Sequence, residues 1–335
     1  MARTNRTRSP SVESLVATVR AIWQAVETTP QADHQKLKQN ISDTVKRLKC
    51  RIDAKLGTPT VVPPTERLLF GAVEDDSLEP PPRFPEPALR VYAKDFADHA
   101  LLHLPQSVKY RSAEAFRTYL SERLRFNSQA TRRRTANYIV SRFFPDDVYN
   151  GDVPPFAAAT AGTPALGEAL FYLTCRTEKI VSLVAEEVVF PSLAQGGVTR
   201  TRLKEYVQGK FPDSKSAGHV GQAVVRSYQF YGLGTAGRTR LDVAVREGSL
   251  VSFAYVLHLE FPEPGMYPFG EMSDGPMHKW MLWDQEWMVR QLYRLREAGL
   301  LSKVSEIDRL RQFTTRYTLA DAVHRIVALA KESPA

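Results

Sequence analysis

Residues 110–143 read YRSAEAFRTYLSERLRFNSQATRRRTANYIVSRF. From Ser112 to Phe126, the residues Phe116, Tyr119, Leu120 and Leu124 fall at the spacing of one buried helix face. Asn127-Ser128 offers a cap, and a second helix is expected from Gln129 to Phe144 with Ala136, Ile139, Val140 and Phe143 inward. Two helices across a short polar turn have the layout of a helix-turn-helix. The second helix opens on Arg132, Arg133 and Arg134. A helix N-terminus carries partial positive charge, so three arginines there oppose helix stability and need another reason. Phosphates and base edges in a major groove supply one. Acidic residues of another domain supply the alternative.

The same pattern is expected further along. Arg202 to Gln208 reads as a short helix, Pro212-Asp213-Ser214 as a turn, and Ser216 to Tyr231 as a longer helix. Val220, Val224, Tyr228 and Tyr231 line one side of that helix, and Lys215 and Arg226 are cations that go with it. Gly232-Leu233-Gly234-Thr235-Ala236-Gly237 follows, and then Arg238 and Arg240. The glycines spell GxGxxG, but a dinucleotide fingerprint joins a strand to a helix and this one trails a helix. A wing carrying Arg238 and Arg240 suits the context better. A third module starts at Asp284, with Trp287, Met288, Leu292 and Leu295 spaced for burial and Gly299 placed to cap the helix. Leu300 to Val304 and Gln312 to Thr318 are expected to pair as strands, and Leu319 to Ala330 to form a last helix.

Working outward, Leu89 to Leu104 has helical spacing and Val153 to Gly167 reads as an irregular connector. Leu166 to Phe190 reads as one continuous scaffold helix, with Glu186-Glu187 on a solvated face. Phe261 to Trp283, rich in aromatic, Met, Gly and Pro residues, reads as a packed irregular loop or a protein-contact surface. Residues 1–56 read as a helical hairpin, and 57–88 as a Pro-rich linker with an acidic run at Glu74-Asp75-Asp76. The expected domains are therefore 1–56, 57–88, 89–150, 166–250 and 251–335.

Lys plus Arg number 45 against 37 acidic residues, a net charge of +8. The excess is concentrated, since residues 101–145 alone hold nine Lys/Arg against two Asp/Glu. Local potential can then exceed what the total implies. Two distant cysteines, Cys50 and Cys175, argue against a disulfide framework and fit a reducing cytoplasm. No apolar stretch is long enough to span a bilayer, so no membrane partner is expected. No GxSxG, Walker A or HExxH motif is present. His99 and His103 sit four apart, but no third ligand is evident. The expectation is a protein with no catalytic residues, no cofactor and no metal.

Residues 110–143, together with ALFYLTCRTEKIVSLVAEEVV and LKEYVQGKF…SKSAGHVGQAVVRSYQFYGLG, resemble the BrxA family of small DNA-binding subunits found in BREX phage-defence loci. The resemblance covers roughly residues 105–260, and the N-terminal hairpin and Pro-rich linker depart from it. It implies an all-α protein with helix-turn-helix and winged-helix parts, DNA binding without known catalysis, and work beside other defence proteins. The combined expectation is a mainly α, multi-domain chain with helix-turn-helix and winged-helix modules and small β wings. Double-stranded DNA is the expected partner, met by Arg132, Arg133, Arg134, Lys215, Arg226, Arg238 and Arg240. The alternatives are an adaptor in a multi-protein defence complex and a transcriptional repressor.

Overall fold

The computed structural model describes residues 88–332, apart from 95, 146–148, 150 and 308–309. The expected hairpin at 1–56, and the linker at 57–88 apart from Ala88, lie outside the described residues. The described residues are 64% helical and 11% strand, with two small three-stranded sheets. The all-α expectation is therefore corrected. Four of the six strands span only two or three residues, too few to print a period-two alternation on the sequence.

The first helices are α1 (Ala97–His103), α2 (Ala113–Arg123), α3 (Gln129–Phe143), α4 (Val153–Ala159), α5 (Pro164–Thr177) and α6 (Lys179–Val184). Ser128 caps α3 with its side chain, as the sequence suggests, and Ser112 caps α2 in the same way. Three expectations fail. Residues 88–94 are not helical, because Arg90 and Tyr92 reach instead to Glu178 and Ser227. The connector at 153–167 contains α4 and the start of α5, since Pro154 and Pro164 occupy first-turn positions that need no N–H. The long scaffold helix breaks at Glu178 (φ −113°, ψ 87°), whose carboxylate turns inward, and continues through a π-helical turn to Val189 and a 3-10 turn to Gln195.

Two β units follow, each opening on a strand, running through helices and closing on a hairpin. The first is β1 (Gly197–Thr199), α7 (Arg200–Lys210), α8 (Ala217–Phe230), β2 (Thr235–Ala236) and β3 (Arg240–Asp242). Then α9 (Leu250–Glu260) leads into β4 (Met266–Pro268), α10 (Phe269–Ser273), α11 (Pro276–Met281), α12 (Gln285–Glu297), β5 (Leu301–Ile307) and β6 (Leu310–Thr315). Helix α13 (Leu319–Glu332) closes the described chain. In each unit the first strand pairs antiparallel with the last, giving β1-β3-β2 and β4-β6-β5. The helix before the hairpin ends identically in both. Gly232 (φ +78°) and Gly299 (φ +74°) take the left-handed conformation, followed by buried Leu233 and Leu300. The Leu233 and Leu300 amides donate to Tyr228 and Leu295 carbonyls at 2.8 and 2.9 Å, which is the Schellman cap. Residues 261–283 are consequently not an irregular loop. Met272, Met277, Met281 and Trp283 are core, and Pro268 and Pro276 start helices.

Pro81–Ala335 is one compact unit, and a continuous apolar core runs from Tyr92 to Ile326. Each fully buried Val, Leu or Phe contributes about 1.5–3 kcal/mol. Buried in the same core is His258 on α9, whose Nδ1 lies 2.8 Å from the Ala254 carbonyl. Burial pulls its pKa below the ordinary 6.5, and burial also lowers that of His103. A depressed folded pKa means that the unfolded chain takes up the proton first. Stability is thus fully present above about pH 6.5 and lost as pH falls through the lowered values. Urea midpoints should drop between pH 7.5 and 5.5, and His258→Leu should flatten that drop. An equal drop in the variant would refute the role of His258.

Candidate nucleic-acid interface

Helix α8 has two faces of opposite character. Ala217, Val220, Ala223, Val224 and Tyr228 are buried, packed with Leu203 and Val207 of α7 in the same core. A Cβ at Gly221 would meet Leu203 and the Lys204 amide at 3.9 Å, an ordinary contact, so the crossing leaves room for a small side chain there. The other face exposes Gly218, His219, Gln222 and Arg226, and Lys215 is exposed just ahead of the helix. Asp213 and Asp242 bracket a stretch with no carboxylate, within which Lys215, Arg226, Arg238 and Arg240 are the cations. Helix α7 starts at Thr199, whose hydroxyl accepts from the Arg202 amide at 3.2 Å.

Arg200 holds the β2–β3 turn, and Arg240 ties the sheet to the segment ahead of β1. Arg200 donates from its backbone N–H to Thr239 O at 2.9 Å, and its guanidinium donates to Gly237 O at 3.1 and 2.9 Å. Arg240 pairs with Asp242 at 2.6 Å and donates to the Gln195 carbonyl at 2.9 Å. The sheet itself depends on Gly197 (φ +133°), where a Cβ would fall 2.1 Å from Leu241 O. Arg238 at the tip is exposed and has no ion pair among the described residues. Of the two expected wing arginines, Arg240 is therefore engaged with Asp242 and the Gln195 carbonyl, and Arg238 is available.

Helices α2 and α3 form a separate pair, packed against α5. The three arginines at the start of α3 are not equivalent. Arg132 is half-buried and donates to the Phe126 carbonyl at 2.7 Å, which ties down the turn before its own helix. Arg133 and Arg134 are exposed, with Asn137 one turn beyond. His99 and His103 face aromatic rings, His99 on Phe126 with centroids at 5.1 Å and His103 with its Nδ1 at 3.3 Å from the Tyr119 hydroxyl. Among the described residues no group of three or more His, Cys, Asp or Glu could hold a metal.

The second β unit differs in charge. Helix α12 starts with Asp284, which caps Trp287 N at 2.7 Å, and Glu286. Arg290 on this helix is paired with Glu247 at 2.7 Å. Among the described residues, no helix is long and apolar enough to cross a membrane.

No protein-family model matches the chain, and neither a curated protein nor a solved structure matches it. Function has to be read from these surfaces. Gly218, His219 and Gln222 carry none of the charge by which the sequence expectation was drawn, and so escaped it. The available signal was the spacing of Lys215, His219, Gln222 and Arg226 along the side opposite the apolar stripe.

Proposed function

We propose that this protein binds duplex DNA, with Gly197–Asp242 serving as a winged helix. In this reading α8 enters the major groove, and the β2–β3 turn lies against the phosphate backbone with Arg238 foremost. The observation that carries the reading is the exposed face of α8 and the turn, which presents Lys215, Arg226 and Arg238 with no carboxylate between Asp213 and Asp242. The element order supports it: helix, strand, two helices, then a hairpin whose last strand pairs with the first. The second β unit shares the strand pairing but has three helices between its first strand and its hairpin, and the acidic start of α12 suits scaffolding better than phosphate contact. Arg133 and Arg134 on α3 supply a further cationic contact. The resemblance of residues 105–260 to the BrxA family supports the same reading, and with it the role of a non-enzymatic accessory in phage defence.

Phosphate contacts dominate affinity in such complexes and make it salt-dependent. Fluorescence anisotropy of a labelled random duplex, titrated over a salt series, tests the proposal. Three to five phosphate contacts should give a log K against log salt slope of about −3 to −5. Absence of binding at low salt would overturn the reading and leave the adaptor role.

A further inference from the structure

We propose that α8 reads base sequence, with His219 and Gln222 facing base edges between two cations that grip the backbone. This rests on the duplex-DNA reading above and goes beyond it, since phosphate contacts alone carry no sequence information. His219, Gln222 and Arg226 are all exposed and recur at three- and four-residue intervals, so they form one row along α8, with exposed Lys215 in the turn just ahead of it. The two cations flank His219 and Gln222, Lys215 ahead of the helix and Arg226 one turn beyond Gln222. A major groove about 12 Å wide admits a helix, so this face can lie over the base edges while the flanking cations reach towards phosphates.

The flanked pair is chemically different from the cations. His219 and Gln222 are polar donors and acceptors without formal carboxylate or ammonium charge, and neither has a side-chain hydrogen bond among the described residues. A glutamine amide can bond adenine N6 and N7 together, and an imidazole N–H can donate to guanine N7 or O6. Their separation along the axis, about 4.5 Å, is close to one base-pair step of about 3.4 Å. Gly218 sits beside them in the first turn, with nothing within 4 Å of where a Cβ would be. Glycine is a poor helix former and no packing in the structure requires it there. Its bare backbone lets this end of α8 sink towards the bases.

The ligand class is therefore duplex DNA carrying a short purine-containing core of about three or four base pairs, with an adenine opposite Gln222. Selection from a random duplex library by the full chain, followed by sequencing, tests this. The expected result is enrichment of such a core. Gln222→Ala should then lose preference at one base-pair position by about 5- to 150-fold, the worth of a bidentate contact. Lys215→Ala should instead weaken binding to all sequences alike. Salt-dependent binding without enrichment, or a motif unchanged in Gln222→Ala, would overturn base reading while leaving DNA binding intact. Failure to bind any duplex would overturn both.

Discussion

Alanine at Lys215, Arg226 and Arg238 together should lower the salt slope of duplex binding by close to three units and weaken binding at low salt on the order of 100-fold. All three side chains are exposed, and Arg226 lies on the face of α8 opposite its packing stripe, so the fold should be unaffected. Circular dichroism and an unchanged urea midpoint would establish that. Each cation neutralises one phosphate and releases its counterion, which contributes about 0.9 to the slope, so the three losses add. Arg240→Ala separates contact from positioning. Arg240 is engaged with Asp242 and the Gln195 carbonyl, so its loss should cost affinity through a loosened sheet and change the slope little. A folded triple variant with wild-type affinity and slope would remove α8 and the wing from the interface.

The distribution of these cations was legible in the sequence, but their availability was not. Lys215, Arg226 and Arg238 are as exposed as their setting on polar faces and turns implies. Arg132 and Arg240 look the same in sequence, yet each is held by a backbone carbonyl, Phe126 O in one case and Gln195 O in the other. A carbonyl partner six or 45 residues away leaves no mark on local pattern. The helices with a strong apolar stripe, α2, α3, α8 and α12, were readable because their burial follows the 3.6-residue period. The scaffold helix was misread where tertiary structure overrode propensity. Nothing near Glu178 breaks a helix by composition, and the break comes from where its carboxylate is needed. The strand pairing shared by the two β units is not legible in the sequence for a different reason. It is carried by topology and by the repeated Gly-Leu cap, while the residues between differ in charge and length.

That break at Glu178 predicts the largest stability effect among single substitutions. Glu178 is 1% exposed and accepts two hydrogen bonds from Arg90, at 2.9 and 3.0 Å. Arg142 Nη2 lies 3.5 Å from the same carboxylate, and its guanidinium is wholly buried against the rings of Tyr92 and Tyr138 at 4.9 and 4.4 Å. Tyr92 in turn shares a 2.7 Å hydrogen bond with Ser227 of α8. Glu178→Ala would leave the Arg142 charge in the core without its carboxylate, at a cost of about 3–5 kcal/mol. That is a large part of the 5–15 kcal/mol typical of a whole domain. Arg90 is half exposed, and Glu178 would keep Arg142 in its absence, so Arg90→Ala should cost much less. The double variant Arg142→Met with Glu178→Leu should recover most of the loss, because apolar residues of similar volume need no charge partner. Urea denaturation followed by circular dichroism measures all three. If Glu178→Ala unfolds at the wild-type midpoint, the pair is not what holds 88–94 and α8 to the scaffold. If the double variant is as unstable as the single, the defect lies in lost packing around the helix break and not in an orphaned charge.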